Sequence, residues 1–286
     1  MTLSELRGQR AIVTGATHGI GMATARALAG AGVRVTLAVR DAELGRQRAA
    51  EFGGDCIVEH LDLADLDSVR DFAGRIDGDV DHLINNAGMF PHRHDHTADG
   101  FEIAIGTNFL GPFALTTLLL PQVTRTIVCV ASDAHKAATL DPGDLDLDRA
   151  RWNPARAYGR SKLAVMLFGL ELDRRLRAAG SPVRAMLTTP GWVATNISSK
   201  PGFGWAHRAV RGTAGLLAND EDAGAATTLY CLAEPIPPGS YVGVDGLWTL
   251  RGEPVLLGRS RTACDYALAG RLWARAEELT GVSSGL

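Results

Sequence analysis

The chain has 286 residues, of which 46% are hydrophobic and 21% are charged. This apolar fraction is enough to offset chain entropy, which excludes intrinsic disorder for the bulk of the protein. The 29 basic and 32 acidic residues leave a formal charge of −3, without the basic surplus that a nucleic-acid partner requires.

Short apolar runs alternate with longer amphipathic ones, which is typical of βα units and a parallel sheet. The predicted strands are Arg10–Thr14, Val33–Val39, Cys56–His60, His82–Asn85, Thr126–Ala131, Val183–Thr188 and Ser240–Val244. The predicted helices are Gly19–Ala31, Leu66–Arg75, Gly100–Leu120, Ala155–Ala179, Glu221–Ala233 and Ala263–Leu279. We therefore predict the α/β class: a single doubly wound Rossmann domain over residues 1–286, with seven parallel strands in the order 3-2-1-4-5-6-7 and helices on both faces.

Two stretches fit this alternation poorly. Residues 136–153 are acidic and predict a surface excursion between a strand and a helix. Residues 195–219 are rich in glycine and contain no acidic residue. We expect this second segment to be a lid over the substrate pocket, because long irregular segments in compact domains are usually functional. Contact of its basic side chains with a membrane surface or an acidic substrate group, and an ordinary packed excursion, stay open as alternatives.

The cysteines and the hydropathy of the chain indicate in which cellular compartment the protein is expected. The four cysteines lie far apart without a CxxC pair, and predict neither a disulfide framework nor a thiolate zinc site. The first residues lack the apolar segment of a signal peptide. The longest apolar stretch, Phe109–Leu120, is too short and too interrupted to span a bilayer. We expect a cytoplasmic protein without membrane contact.

A glycine-rich turn follows the first predicted strand and precedes the first predicted helix. Three glycines within residues 14–21 allow a tight turn and a close backbone approach, and the helix N-terminus offers N–H groups to a pyrophosphate. The residues expected to contact a dinucleotide here are Gly15, Thr17, His18, Gly19, Ile20 and Gly21. The alternative is a turn whose glycines serve only helix–strand packing.

The end of the second strand bears on the choice between NAD and NADP. An acidic residue about 20 positions after the glycine turn accepts the ribose 2′-hydroxyl of NAD, whereas an arginine accommodates the 2′-phosphate of NADP. Arg40 comes first here, and Asp41 is explained as the cap of a following helix. The order of the two residues favours NADP. His18 is either a second positive group for the phosphate or an exposed loop residue.

Tyr158 and Lys162 lie four positions apart on a predicted helix and therefore share one helical face. An ammonium near a phenol lowers the phenol pKa from about 10, which suits a proton donor and acceptor near neutrality. Ser132 follows the fifth predicted strand, where a hydroxyl faces the ligand crevice of an α/β sheet. Together with the glycine turn, these three residues predict a specific catalytic constellation.

These motifs resemble those of the short-chain dehydrogenase/reductases. The shared motifs are TGxxxGxG at residues 14–21, Asn85-Asn86-Ala87-Gly88, Ser132, and YxxxK at residues 158–162. The similarity covers nearly the whole chain. Within the family, the Ala-Val-Arg-Asp end of the second strand, the gap of 26 positions from Ser132 to Tyr158 and the Arg271–Leu279 tail are similar to the retinol dehydrogenase and protochlorophyllide reductase-like group.

The resemblance implies a role for each catalytic residue. Tyr158 corresponds to the general acid/base, and Ser132 to the hydrogen-bond donor for the substrate oxygen. Lys162 corresponds to the residue that lowers the tyrosine pKa and holds the nicotinamide ribose, and Asn108 to the support of a proton relay through water. The further cofactor contacts implied are Asp62, Leu63, Asn86, Ala87, Gly88, Tyr158, Lys162, Pro190, Gly191, Val193 and Thr195.

One histidine-rich loop follows the fourth predicted strand. His92, His94 and His96 alternate with Arg93 and Asp95, and imidazoles with a carboxylate are metal ligands. The sequence identifies no ligand partner elsewhere in the chain. We therefore expect no metal, and a solvated loop that rims the substrate pocket.

The sequence thus predicts an NADP-dependent oxidoreductase that interconverts an alcohol and a carbonyl on a bulky, apolar small molecule. An NAD-linked dehydrogenase of the same family is one alternative. A non-catalytic NADP(H) sensor is another, although a sensor has no use for an activated phenol. The absence of a GxSxG elbow argues against a serine hydrolase. Self-association into a homo-oligomer stays open, and Thr189 and Pro112, which depart from the subgroup pattern, leave the substrate open.

Overall fold

The computed structural model describes residues 3–147, 151–191, 221–246 and 252–286. In these residues eight strands form one sheet in the order β3-β2-β1-β4-β5-β6-β7-β8. The strands are β1 Arg10–Thr14, β2 Arg34–Val39, β3 Cys56–His60, β4 Val80–Asn85, β5 Val123–Val130, β6 Arg184–Thr188, β7 Tyr241–Val244 and β8 Pro254–Leu256. The predicted order of the first seven strands is confirmed, and those seven pair in parallel.

The eighth strand corrects the predicted sheet of seven. β8 pairs antiparallel with β7 and places Val255 opposite Gly243. It has only three residues and starts with Pro254, so neither a period-2 pattern nor a β-rich run marks it in the sequence. The sheet is therefore parallel over seven strands and closed at one edge by a short antiparallel strand.

The helices surround this sheet on both faces. Their bounds are α1 Gly19–Gly30, α2 Ala42–Phe52, α3 Leu66–Arg75, α4 Ile103–Ile105, α5 Gly111–Leu119, α6 Pro154–Ala178, α7 Glu221–Ala233 and α8 Tyr266–Thr280. The predicted helices did not include bounds for α2, the helix that Asp41 caps. This helix is exposed, its mean hydropathy is low, and only Gly45 is buried in it. Among the described helices, none combines the length and the hydropathy that a bilayer span requires.

The predicted helix Gly100–Leu120 is three elements rather than one. A single turn forms α4, a π-helical turn follows at Gly106–Leu110, and α5 then begins at Gly111. Glu102 caps α4 by accepting hydrogen bonds from the backbone N–H groups of Ala104 (3.1 Å) and Ile105 (2.9 Å). A π-helical turn inserts one residue into a helix and is frequent at functional sites.

Each face of the sheet carries its own hydrophobic core. On one face, Phe113 of α5, Phe168 of α6 and Trp273 of α8 form an aromatic cluster, with the Phe113 and Trp273 ring centres 5.0 Å apart. The Arg175 guanidinium covers the Trp273 ring at 4.5 Å. On the other face, α1 and α7 pack on the central strands through small and aliphatic side chains. The C-terminal helix is thus part of the main core.

Gly111 is required where α5 approaches the loop after β3. A Cβ added to Gly111 would overlap the backbone carbonyl oxygen of Leu63. We expect Gly111→Ala to lower the free energy of unfolding by about 1–3 kcal/mol, because backbone on both sides has to shift.

Gly270 of α8 provides the matched control for this substitution. Among the described residues, a Cβ added there meets nothing within 4 Å. Gly270→Ala is therefore expected to raise the free energy of unfolding by about 0.5–1 kcal/mol. Urea unfolding of both variants measures the contrast, and a Gly111→Ala protein as stable as the wild type would contradict the close approach.

Candidate active site

The carboxyl ends of β1 and β4 are tied together at the switch point of the sheet. The Thr14 hydroxyl accepts hydrogen bonds from the backbone N–H groups of Asn86 (3.0 Å) and Ala87 (2.9 Å). The Asn86 side-chain amide donates to the Thr14 carbonyl at 2.9 Å. Ligands of doubly wound sheets bind in the crevice at this switch point. These contacts fix the backbone at the base of that crevice.

The glycine turn beside these contacts has no room for a side chain at Gly15 or Gly21. Gly15 has a φ of +69°, and a Cβ added to it would lie 3.0 Å from the Ala87 Cβ. A Cβ added to Gly21 would overlap the Asn86 side-chain nitrogen and the Gly15 carbonyl oxygen. The glycines therefore do serve packing, as the alternative interpretation requires, and they also keep the backbone open towards the crevice.

α1 begins at Gly19, directly after the turn, and its first N–H groups have no partners inside the helix. The side chain of the N-cap residue, His18, makes no capping hydrogen bond. Its Nδ1 lies 3.1 Å from the Thr17 hydroxyl instead. Unpaired backbone donors at the positive end of a helix dipole are the chemistry that binds a pyrophosphate.

Arg40 and Asp41 are both exposed directly after β2, at the carboxyl edge of the sheet. Asp41 is the N-cap of α2, and its carboxylate accepts a hydrogen bond from the Leu44 backbone at 3.0 Å. Sequence reasoning missed Arg48, also on α2, whose Nε donates to the Thr17 carbonyl at 3.2 Å. Recognition of α2 would have revealed Arg48, since the helix turns that side chain back towards the glycine turn.

Asp62 and Leu63 follow β3 at the same edge. Asp62 Oδ1 accepts a hydrogen bond from the Ala64 backbone (2.9 Å), and the Asp62 backbone donates to the Ser68 hydroxyl (3.0 Å). Leu63 is buried. The two residues therefore order this loop beside the crevice.

Ser132 and Tyr158 meet across the crevice. Ser132 follows β5, and Tyr158 lies in the second turn of α6. The Ser132 side chain acts on the Tyr158 phenol as a hydrogen-bond partner and lowers the pKa of the phenol. The Ser132 Oγ also accepts from the Ala134 backbone at 3.3 Å, which fixes its rotamer at the start of a 3₁₀ turn. The two hydroxyls predicted to act on one substrate oxygen are thus adjacent.

The structure corrects the expected pKa of Tyr158. Burial raises this pKa above its ordinary value, and the hydrogen bond from Ser132 offsets part of the rise. Lys162 Nζ lies 5.8 Å from the centre of the Tyr158 ring and donates to the Val130 carbonyl at 2.8 Å. The ammonium donates to a strand carbonyl, and the pKa of the phenol follows its burial. Burial also lowers the pKa of Lys162 to about 8.

Asn108 lies in the π-helical turn and holds the segment after β4. Its Oδ1 accepts from the Met89 backbone (2.7 Å), and its Nδ2 donates to the Met89 carbonyl and to the Ser161 hydroxyl (both 2.9 Å). A Cβ added to Gly88 would lie 3.3 Å from Lys162 Nζ and 3.4 Å from Asn108 Oδ1. The lysine and the asparagine therefore line one small space that only glycine leaves open.

Phe90 is a further residue of the site that sequence reasoning missed. Its ring centre lies 5.3 Å from that of Tyr158 and 5.9 Å from that of His92. The signal in the sequence was its position two residues after the Asn85–Gly88 motif. Phe90 gives the surroundings of the phenol an apolar wall.

Other predicted residues lie at or beyond the end of the described segment. Pro190 and Gly191 follow β6 and are half-buried, and Gly191 has a φ of +72°. Val193, Thr195 and the predicted lid over residues 195–219 lie outside the described residues.

The donors and spaces at this edge fit a dinucleotide. The open helix terminus of α1 suits a pyrophosphate, and the space beside Gly88 lies next to the Lys162 ammonium. Anionic and hydroxyl groups are the partners that such donors take.

Comparison with known proteins agrees with this geometry. A model of the short chain dehydrogenase family matches residues 9–143. Mouse polyprenol dehydrogenase is 40% identical, with 97% of this chain and 85% of that protein covered. Human retinol dehydrogenase 13 is 36% identical, with 97% and 86% covered. The chain belongs to the short-chain dehydrogenase/reductase family.

Structural similarity supports the assignment. The crystal structure of an uncharacterised protein from Mycobacterium paratuberculosis superimposes on this short-chain dehydrogenase with a TM-score of 0.86 and 41% identity, covering 100% of this chain and 99% of that one. Membership makes the protein an NAD(P)-dependent oxidoreductase that acts on alcohol and carbonyl groups, similar to the retinol dehydrogenase group. The predicted family, its retinol dehydrogenase-like group and the enzyme class are confirmed.

Cofactor binding by this short-chain dehydrogenase is expected to weaken as the pH rises through about 8. Lys162 is charged below its lowered pKa and neutral above it. By the family resemblance, Lys162 donates a hydrogen bond to the nicotinamide ribose of the cofactor. Hydrogen bonds from charged donors are about 1 kcal/mol stronger than those from neutral ones, so loss of the Lys162 charge should raise the Kd for NADPH about fivefold. Fluorescence titration from pH 7 to pH 10 measures the change.

Two features separate the effect of Lys162 from that of other titrating groups: the raised pKa of Tyr158, and the exposed Lys136 as a control lysine. Tyr158 stays neutral through the lower part of this range, because its pKa is raised. Lys136→Met should keep the pH dependence, whereas Lys162→Met should bind weakly at every pH. A wild-type Kd that is constant across the range would show that the Lys162 charge is not used.

Proposed function

We propose that the protein is an NADP-dependent dehydrogenase/reductase of bulky, apolar alcohols and carbonyls, acting as one domain over the whole chain. The observation that carries the reaction is the convergence of Ser132, Tyr158 and Lys162 beside the glycine turn. The observation that favours NADP is that, after β2, the acidic residue caps a helix while the arginine is left exposed. The Asp41 carboxylate is engaged by the Leu44 backbone, while the Arg40 guanidinium is exposed beside it.

Proton transfer falls to the chain's own residues, while the bound nicotinamide supplies or accepts the hydride. Tyr158 donates its proton to the substrate oxygen in the reducing direction and removes it in the oxidising direction. Its raised pKa keeps the phenol protonated at neutral pH, which suits the reducing direction. Ser132 stabilises the charge that develops on the same oxygen. Asn108 holds the segment beside Lys162, and Lys162 links Tyr158 to the solvent that replaces the donated proton.

Cofactor contacts follow from the same edge of the sheet. We assign the pyrophosphate to the turn, where Gly15, Thr17, His18, Gly19, Ile20 and Gly21 lie. We assign the 2′-phosphate to Arg40, and the adenine to Asp62 and Leu63. The nicotinamide end is assigned to Asn86, Ala87, Gly88, Lys162, Pro190, Gly191, Val193 and Thr195.

The substrate class rests on the apolar wall of the site and on the relatives' names. Phe90 packs against the reactive phenol and offers a ring face to a hydrophobic substrate. Polyprenol and retinol, named for two relatives, are long apolar alcohols. A long isoprenoid-like alcohol or aldehyde therefore fits the proposal better than a small polar one.

The direct test is a coupled screen of cofactor and substrate. NADPH and NADH oxidation are followed with a panel of long-chain aldehydes, ketones and quinones, and with short polar aldehydes as controls. We expect NADPH oxidation with the apolar members, at least tenfold faster than NADH oxidation. Faster oxidation of NADH would identify an NAD-linked enzyme. Tight NADPH binding without turnover of any apolar carbonyl or alcohol would favour the sensor.

A further inference from the structure

Two segments beside the candidate active site bring three metal-ligating side chains together. His94 and His96 lie in the loop after β4, and Asp146 lies in the segment before α6. One ligand atom of each lies within 4.8 Å of those of the other two. His96 Nε2 and Asp146 Oδ1 are 3.5 Å apart. Sequence analysis found no partner for these histidines, because the fold supplies Asp146 from 50 positions beyond His96.

Buried neighbours hold the Asp146 segment, and the half-buried Trp152 contacts the histidine loop. Leu145 and Leu147, on either side of Asp146, are only 6% and 2% exposed. The acidic stretch is therefore anchored in the core here, rather than a surface excursion throughout, and it presents the Asp146 carboxylate to solvent. On the other segment, the Trp152 ring lies edge-on against the His94 ring at 5.7 Å. The cluster is thus built on anchored backbone.

The hydrogen bond of His94 is the one that metal-binding histidines make. His94 Nε2 lies 3.1 Å from the Leu147 carbonyl oxygen. A carbonyl only accepts, so the proton is on Nε2, and the neutral ring has its lone pair on Nδ1. Histidine ligands of metals almost always donate their other ring N–H to a carbonyl or carboxylate, which fixes the tautomer.

We propose that His94, His96 and Asp146 bind one divalent transition-metal ion of the zinc class, with solvent completing the coordination. Nitrogen and oxygen ligands lie about 2.0–2.2 Å from zinc, which places tetrahedral ligand atoms about 3.4 Å from one another. The separation of His96 from Asp146 already meets this requirement. Both side chains are exposed, so rotation about their side-chain bonds closes the remaining distance to His94.

The ion ties two segments that flank the reactive phenol. The loop that carries the histidines also carries His92 and Phe90, and Phe90 packs against Tyr158. Asp146 precedes α6, which carries Tyr158. The ion therefore acts as a positional tie at the rim of the site and takes no part in the chemistry.

The competing explanation for this cluster is a solvated ion pair, which requires two of the three residues rather than all three. His96 and Asp146 form an exposed pair without help from a third residue, and such pairs contribute little. A metal site requires all three ligands at once. Removal of His94 therefore separates the two explanations.

Zinc binding to the metal-stripped full chain tests the proposal, by competition with a chromophoric chelator near neutral pH. The wild type is expected to bind one Zn²⁺ per chain at this site. His94→Ala, His96→Ala and Asp146→Asn are each expected to weaken that binding about 100-fold. His92→Ala and Asp144→Asn, on the same two segments, are the matched controls and should keep it. Co²⁺ in place of Zn²⁺ should show visible ligand-field bands in the wild type and the controls alone.

A thermal shift gives a second measurement of the tie. Zn²⁺ at about 100 times its Kd should raise the Tm of the wild type by about 5 °C and leave that of Asp146→Asn unchanged. Because Asp146 is exposed, we expect Asp146→Asn to fold normally. NADPH binding by this variant checks that expectation. Equal zinc affinity of the wild type and Asp146→Asn would mean an adventitious ion only and would overturn the proposal. An unchanged zinc affinity in His94→Ala would show that the three residues do not form one site. That result would also overturn the proposal, and His96 and Asp146 would then be an ion pair only.

Discussion

Phenylalanine in place of Tyr158 is expected to lower kcat for carbonyl reduction by about 10²–10⁴-fold, the usual contribution of a positioned general acid. The Kd for NADPH should stay within about twofold of the wild type. The phenyl ring keeps its packing against Phe90 and its place below the Lys162 ammonium, so only the proton donor and the hydrogen bond with Ser132 are lost. Steady-state kinetics and a fluorescence titration of NADPH separate the two quantities.

Tyr266 offers the matched control, because its phenol is exposed at the start of α8, far along the chain from the site. Tyr266→Phe should leave both kcat and the NADPH Kd unchanged. An unaltered kcat in Tyr158→Phe, on any substrate that the wild type turns over, would remove Tyr158 from the reaction.

Loss of the Arg40 guanidinium is expected to weaken NADPH far more than NADH. A guanidinium grips a phosphate dianion through paired, charge-assisted hydrogen bonds, and gains little from a hydroxyl. Arg40→Ala should raise the Kd for NADPH by about 5- to 150-fold, equivalent to about 1–3 kcal/mol. The Kd for NADH should change less than about twofold. Calorimetric titration of both cofactors into one preparation measures the ratio.

The control for Arg40 lies on the helix that follows. Arg46 is an exposed arginine of α2, paired with Glu43 at 2.9 Å, and Arg46→Ala should leave the NADPH Kd unchanged. Tighter binding of NADH than NADPH by the wild type would contradict the assignment. Asp41 would then be the determinant, in spite of its hydrogen bond to α2.

The parallel core of the fold was predictable because its strands are buried on both faces. Leu37 and Ala38 of β2, for example, face opposite sides of the sheet and are both almost fully buried. Such strands appear in the sequence as apolar runs between turn residues. The antiparallel β8 and the exposed α2 have no such signal. The position of β8 depends on pairing at the edge of the sheet, and α2 is marked in the sequence by its cap, Asp41, rather than by hydropathy.

The candidate site was predictable where a strand end or a helical spacing brings residues together. Ser132, Tyr158 and Lys162 meet for that reason. Phe90, Arg48 and the pairing of Asp146 with the histidine loop were missed, since loops and an unrecognised helix deliver them. The raised pKa of Tyr158 was also missed, because it depends on the burial of the phenol, which a spacing of four does not show.

The aromatic cluster around Trp273 bears on how the protein is made. Phe113 and Phe168 are synthesised more than 100 positions before Trp273, and contacts of such long sequence separation form late. During translation, the faces of these rings that pack on Trp273 lack that partner until α8 has left the ribosome. Nascent chains with exposed apolar surface are prone to aggregate and to recruit chaperones. We therefore expect the yield of folded protein to depend on how soon α8 packs on these two rings.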